Sequence, residues 1–300
     1  MISDDGKFVQ LMAAAQKVGA RVSLHAENVG ILESNLEQME RNNELADPYN
    51  HYRSRDEICE LEAVKRALYL ADTANTPLYI VHLAVGEGVD EFVRMRAQKG
   101  RLDLVAETCA QYLAFNRDVY KREDARNFIC SPPIKAQESQ DMLWEGIRKG
   151  IISTVASDHC PFQSYEKDWG KNDFRKVPNG LCGLENTYPF MLSEANKGTI
   201  SFNKAVEVCS TNVAKEFGIP NKGDIVPGFD ADFVIYDPTI DFTVTLDSMH
   251  SNVDHTVWEG VKLKGYPIMT FSRGVLSFDH GKFVGEQGHG NFVERIPFNW

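Results

Sequence analysis

Three short apolar runs in this chain each lead to a residue able to bind a metal ion, and a helical pattern comes after each loop. Arg21-Val-Ser-Leu24 leads into His25, Leu78-Tyr-Ile-Val81 into His82, and the run over 151–157 into Asp158. The runs are rich in β-branched and aromatic residues and have the length of strands rather than helices. Strands that alternate with helices need crossover connections, and so predict a parallel sheet. In a parallel sheet closed into a barrel, the strand C-termini share one face, and that face carries the chemistry. Two imidazoles and a carboxylate gathered there suit a borderline ion such as zinc.

The remaining elements follow from periodicity and caps. Asp4 and Asp5 are placed to cap a first helix with Phe8, Leu11, Met12, Ala15 and Val18 on one face and Gly19 at its end. The stretch after His25 is polar and reads as a connection. Ser54-Arg-Asp-Glu57 has the form of a capping box, opening a helix with the stripe Ile58, Leu61, Val64, Leu68 and Ala71. Strands are expected over 21–24, 78–81, 102–106 and 151–156, and further helices over 89–97 (ending near Gly100), 139–149, 184–196 and 202–217. Near Lys222 the helical stripes give way to short strands over 232–236, 243–245, 266–271 and 275–278. Residues 1–222 therefore read as α/β and 223–300 as a small β module. The α/β part offers about four strands where a closed barrel needs eight.

Composition removes several function classes. The net charge is −11 and no basic patch stands out, which excludes a phosphate-backbone partner such as nucleic acid. No run approaches the roughly 20 apolar residues of a membrane span. The start, Met1-Ile-Ser-Asp-Asp-Gly6, lacks the basic-then-apolar order of a signal peptide. Six cysteines contain no Cys-x-x-Cys pair, so reduced thiols and a cytoplasmic location are expected.

Taken singly, the candidates have ordinary explanations. A lone strand-end histidine such as His25 or His82 usually bonds a neighbouring carboxylate, and Asp158 suits a loop cap. Independent structural roles do not require all three at strand C-termini, so together they point to a shared metal site. Glu107, at the end of the third strand, suits a pocket-lining role and a salt bridge equally well. Ser131 before Pro132-Pro133, and Asn179 in Val177-Pro-Asn-Gly180, have the form of rigid turns. His159 reads as a satisfied loop residue, and His51, His250, His255, His280 and His289 carry no catalytic weight.

Six ordered motifs then become recognisable: His25-Ala-Glu-Asn28, Tyr79-Ile-Val-His82, Glu107-Thr-Cys-Ala-Gln-Tyr112, Cys130-Ser-Pro-Pro133, Ser157-Asp-His-Cys160 and Pro178-Asn-Gly-Leu-Cys-Gly-Leu-Glu185. Together with Asp224-Ile-Val-Pro-Gly228 and Trp258-Glu-Gly260, they resemble the dihydropyrimidinase/hydantoinase branch of the amidohydrolase superfamily along nearly the whole chain. The resemblance implies part of a TIM-like (β/α)8 barrel, about strands five to eight, followed by a portion of a β-sandwich. It implies two divalent metal ions, usually zinc, with His25 and His82 as ligands of one and Asp158 as a ligand of the other. Asp158 is also the implied proton carrier, and Ser131 and Asn179 the implied substrate-amide contacts. A homotetramer is the family's usual assembly.

The implied reaction is opening of a cyclic amide or ureide to an N-carbamoyl amino acid. A metal ion lowers the pKa of its bound water to about 7 and polarises the carbonyl, which meets both difficulties of amide hydrolysis. Asp158 would pass the water's proton to the leaving nitrogen, while Ser131 and Asn179 hold the ring. The family also uses a His-x-His pair and a carbamylated bridging lysine. No two histidines here are separated by one residue, and by the resemblance the lysine precedes the segment that Met1 begins. Asp56 and Ala110 stand where the family commonly has proline. The expectation is a C-terminal portion of a metal-dependent cyclic amidase, inactive alone. The alternatives are a non-catalytic dihydropyrimidinase-related assembly protein, or an allantoinase or dihydroorotase.

Overall fold

Asp4 opens the first helix as expected, its carboxylate accepting a hydrogen bond from the Lys7 amide at 3.0 Å. A computed structural model describes residues 4–99 and 102–298, so the expected helix end at Gly100 lies outside the described residues. Helix α1 (Asp5–Lys17) buries Phe8 and Met12, but Leu11 and Val18 are exposed, so its apolar face is narrower than the periodicity predicts. Strand β1 (Val22–Leu24) follows.

Two helices, α2 (Val29–Arg41) and α3 (Tyr49–Ser54), fill the stretch read as a polar connection. Asn28 caps α2 by accepting from the Ile31 amide at 3.1 Å, yet α2 buries only Met39. Helix α3 buries Asn50, His51, Tyr52 and Ser54, a largely polar set that leaves no apolar stripe to read.

The expected capping box at Ser54 and Glu57 is not formed. Ser54 is still inside α3, with its hydroxyl donating to the His51 carbonyl at 2.8 Å, so it cannot take the extended backbone a cap requires. Asp56 caps α4 (Glu57–Ala74) instead, accepting from the Cys59 amide at 3.1 Å, while Glu57 accepts from the Tyr52 hydroxyl at 2.8 Å. The inward face of α4 carries Cys59, Ala63, Val64, Ala67, Leu68 and Ala71, and Ile58 faces outward.

The chain continues through β2 (Leu78–Ile80), α5 (Glu87–Lys99), β3 (Leu104–Cys109), α6 (Ala110–Ala114), α7 (Gln137–Arg148), β4 (Ile152–Ala156), α8 (Ser164–Lys167) and α9 (Leu184–Asn196). Helices α10 (Phe202–Val206) and α11 (Asn212–Glu216) are joined by a π turn over Glu207–Thr211. The last strands are β5 (Phe233–Thr243), β6 (Lys262–Ser272), β7 (Val275–Asp279) and β8 (Lys282–Phe283). The strand expected over 243–245 is only the end of β5.

Strands β1 to β4 pair in chain order into a parallel sheet, and β2 is buried throughout, as the inner strand of a helix-covered sheet must be. Leu24 pairs with Ile80 and Ile80 with Ala106, so the strand ends lie side by side. The β3–β4 register shifts between Ala106 and Glu107. Strands β5 to β8 form a separate antiparallel sheet, in which Phe233 stacks on Phe271 and Phe242 on Tyr266.

The chain divides into two compact units. One runs to Leu184 and includes Asn252–Val257; the other comprises Glu185–Ser251 and Trp258–Pro297. The first holds the parallel sheet, and the second holds most of α9 together with α10, α11 and the antiparallel sheet. No helix among the described residues is long and apolar enough to cross a membrane.

The two faces of α4 give a direct check on this packing. Leu68→Ala empties a fully buried position and should cost about 2–5 kcal/mol. Ile58→Ala, on the exposed face, should stay within about 0.5 kcal/mol of the parent. Urea unfolding of both variants would separate the positions, and equal losses would contradict the assigned face.

Candidate functional site

The parallel register brings His25 and His82 into contact. His25 follows Leu24, His82 lies two residues beyond Ile80, and those two strand residues are partners. Adjacent strands lie about 4.8 Å apart, so side chains at the two C-termini meet. His25 Nδ1 lies 3.1 Å from His82 Nε2, and the rings pack edge to face with centroids 4.8 Å apart.

The buried carboxylate of Glu27 orients the pair. Its Oε2 lies 2.9 Å from His25 Nε2 and accepts from Arg55 Nη1 at 2.6 Å. A proton on His25 Nε2 directed at Glu27 leaves the Nδ1 lone pair facing His82, the role an orienting carboxylate plays behind a metal-binding histidine. Burial alone would raise the Glu27 pKa, but the His25 hydrogen bond and the Arg55 charge outweigh it and bring the value to about 2. Burial and the neighbouring His25 pull His82 down to about 4, so its imidazole is neutral near pH 7.

His82 is held in an uncommon backbone conformation, with φ +42°, and Asp158 has φ +45°. A non-glycine residue in this region costs on the order of 1–3 kcal/mol and persists where its surroundings fix it. At His82 the fixing group is Glu107, whose Oε1 accepts from the His82 amide at 3.0 Å and whose Oε2 accepts from the Tyr79 hydroxyl at 2.6 Å. Burial raises the Glu107 pKa. Glu107 thus acts through the backbone of His82, and it makes no salt bridge among the described residues.

Asp158 follows β4, and its charge is felt by both His82 and Glu107. Ser131 and Asn179 form a second pair: the Ser131 hydroxyl donates to Asn179 Oδ1 at 2.8 Å, and Asn179 Nδ2 donates to the Val177 carbonyl at 3.2 Å. His159 is a satisfied loop residue, its Nδ1 accepting from the Gly183 and Leu184 amides at 3.2 and 3.3 Å.

Fit to a metal ion is partial. Two zinc-bound nitrogens at about 2.05 Å in a tetrahedral site lie roughly 3.3 Å apart, near the observed His25–His82 separation. The buried His82 nitrogen without a hydrogen-bond partner is Nδ1, not the Nε2 that faces His25, so it adds nothing to the fit. Among the described residues, no group of three or more His, Cys, Asp or Glu side chains converges into a metal cage. A groove of about 720 Å³ beside β1 is lined by His25 and Glu27 but not by His82, Asp158, Ser131 or Asn179.

The sequence matches the amidohydrolase family over residues 3–276, which takes in the whole parallel sheet and most of the second unit. This chain is a member of the amidohydrolase family. It is 37% identical to the D-hydantoinase of Rhizobium radiobacter over 300 residues, covering 98% of this chain and 65% of that protein. Its fold superposes on the dihydropyrimidinase of Brevibacillus agri NCHU1002 with a TM-score of 0.94 at 36% identity, covering 99% of this chain and 65% of that one. The L-hydantoinase of Arthrobacter aurescens gives a TM-score of 0.91 at 32% identity, with coverages of 97% and 64%. This amidohydrolase-family chain therefore spans a little under two thirds of the length of these relatives.

Three groups of the site carry little or no mark in the sequence. Glu27 sits two residues after His25 in the same motif, a spacing that hints at its orienting role. Arg55 and His51 gave no such signal. His51, set aside in the sequence, is fully buried and bonds the Cys130 carbonyl through Nε2 at 2.7 Å, next to Ser131.

Burial and the nearby Arg55 charge pull the His51 pKa from 6.5 down to about 3. Between those values the unfolded chain binds a proton that the folded chain refuses. Stability should therefore rise with pH from about 3 to 6.5, with a slope of up to about 1.4 kcal/mol per pH unit for this one group. Urea midpoints between pH 4 and 7 should show a steeper dependence in the parent than in His51→Gln. Parallel pH profiles would contradict the neutral, buried His51.

Proposed function

We propose that this chain supplies the C-terminal portion of a metal-dependent hydrolase that opens cyclic amides or ureides, such as dihydropyrimidines and hydantoins, to N-carbamoyl amino acids. The observation that carries the proposal is the convergence of His25 and His82 at adjacent strand ends, oriented by Glu27, in a chain similar to named hydantoinases. On this proposal the parallel sheet corresponds to about strands five to eight of a (β/α)8 barrel, residues 1–222 form the barrel portion, and 223–300 form a β-sandwich portion. A homo-oligomer, tetrameric by the resemblance, belongs to the same proposal.

His25 and His82 would hold one divalent ion, taken as zinc, and Asp158 would contribute to holding a second. Such ions, when bound, supply a more acidic water and a polarised carbonyl. Glu27 keeps the His25 Nε2 proton and so leaves Nδ1 free to bind. The Asp158 carboxylate accepts a proton from water and delivers it to the leaving ring nitrogen. Ser131 and Asn179 hold the ring amide so that its carbonyl faces the reacting centre. The retained imidazole pair favours a hydrolase over an assembly protein, since a scaffold needs neither imidazole at that position.

Because the sequence holds no His-x-His pair, the two-ion set implied by the resemblance is incomplete within these 300 residues. Purified chain should bind zinc at no more than one ion per chain by elemental analysis, and His25→Ala or His82→Ala should lower that content at least about tenfold. Dihydrouracil and both enantiomers of a 5-substituted hydantoin should show no measurable opening with the chain alone. Robust turnover would overturn the incomplete-site proposal, and zinc retention in both variants would overturn the ligand assignment.

A further inference from the structure

Lys167 is the least expected group in the first unit. It ends the short helix α8 in a polar run, yet it is only 1% exposed. Its ammonium makes no salt bridge among the described residues. It spends its three protons on backbone carbonyls, donating to Ile129 at 3.1 Å, Pro178 at 2.8 Å and Gly180 at 2.8 Å. The Phe162 ring lies 5.4 Å from Nζ.

Those carbonyls belong to two loops that are distant in sequence. Ile129 lies two residues before Ser131, and Pro178 and Gly180 flank Asn179. The Ile129 carbonyl also accepts from the Gly180 amide at 3.0 Å, so the ammonium and one backbone bond close the same junction. At this junction the Ser131 hydroxyl meets Asn179 Oδ1. A Cβ at Gly180 would approach the Cys160 carbonyl oxygen to 2.4 Å, so the loop has no room to settle elsewhere on that side.

We propose that Lys167 is a positioning residue that clamps the Ser131 and Asn179 loops together, fixing the spacing and direction of the two polar groups offered to a substrate ring. The proposal deepens the function above and rests on Ser131 and Asn179 being the ring contacts. A buried charge without a counter-ion is costly, and three carbonyl dipoles are what keep it. Burial lowers the Lys167 pKa to about 8, the direction expected for an ammonium held only by dipoles. Removing the donors leaves the Pro178 and Gly180 carbonyls short of a partner, and the junction keeps only the Gly180–Ile129 backbone bond and the Ser131–Asn179 contact. An uncharged side chain of similar length would fill the space without making the tie.

The test compares Lys167→Met and Lys167→Arg with the parent chain by NMR. In Lys167→Met, amide exchange at Gly180 should quicken by at least about tenfold, and the Asn179 side-chain amide should shift or split, while amides of β2 and β4 keep parent exchange rates. Lys167→Arg retains charge and donors and should restore part of the Gly180 protection. Unchanged Gly180 and Asn179 signals in Lys167→Met would overturn the proposal. So would exchange that quickens evenly across the sheet, or a failure of both variants to fold, since each assigns the residue to general stability.

The parent reading fails separately. Hydantoin binding that is indifferent to both Ser131→Ala and Asn179→Ala would remove the ring-contact role, whatever Lys167 does. If those variants weaken binding while Lys167→Met leaves the Gly180 and Asn179 signals untouched, the clamp alone fails.

Discussion

The register between β1 and β2 is the constraint on which the site depends. Leu24 beside Ile80 sets His25 against His82, and a slip of one residue would turn one imidazole to the opposite face of the sheet. Each neighbouring interaction protects that juxtaposition. Glu27 and Arg55 fix the His25 ring, and Glu107 with Tyr79 fixes the backbone turn that aims His82. The strained φ at His82 is tolerated because the Glu107 carboxylate holds its amide.

The same design recurs around the loops. Buried charged or titratable groups bond backbone carbonyls or amides where a loop must keep one shape. His51 holds the Cys130 carbonyl, and Lys167 holds those of Ile129, Pro178 and Gly180. Lys135 holds the Arg55 carbonyl at 2.6 Å and lies 3.5 Å from Glu60, which accepts from the Ala84 amide. Burial raises the Glu60 pKa to about 7 despite that neighbouring ammonium. In the one ion pair among them, Lys135 with Glu60, removing a single partner would leave a buried charge unpaired at about 3–5 kcal/mol, whereas His51 and Lys167 act on loop shape through backbone carbonyls.

What the sequence revealed followed physical lines. The strands were legible because β-branched runs ending at turn residues have few other uses, and α4 was legible through Val64, Leu68 and Ala71. Helices α2 and α3 were hidden because one buries a single methionine and the other packs polar side chains inward. The cap at Ser54 was misplaced because a four-residue pattern cannot show that a preceding helix has not yet ended. At the site, the strand-end histidines stood out by position. The contact between Ser131 and Asn179 joins residues 48 apart, which no local pattern encodes. Lys167 lies in a polar run with no local pattern to mark it, and only the fold turns it inward.

On the proposed function, strand register makes His25 and His82 one binding unit. Histidine side-chain ¹⁵N NMR during a zinc titration reads this directly. His25 Nδ1 and His82 Nε2 should shift together, at the same zinc equivalence, while His51 and His159 stay in place. Independent shifts of the two imidazoles, or no response from either, would contradict it.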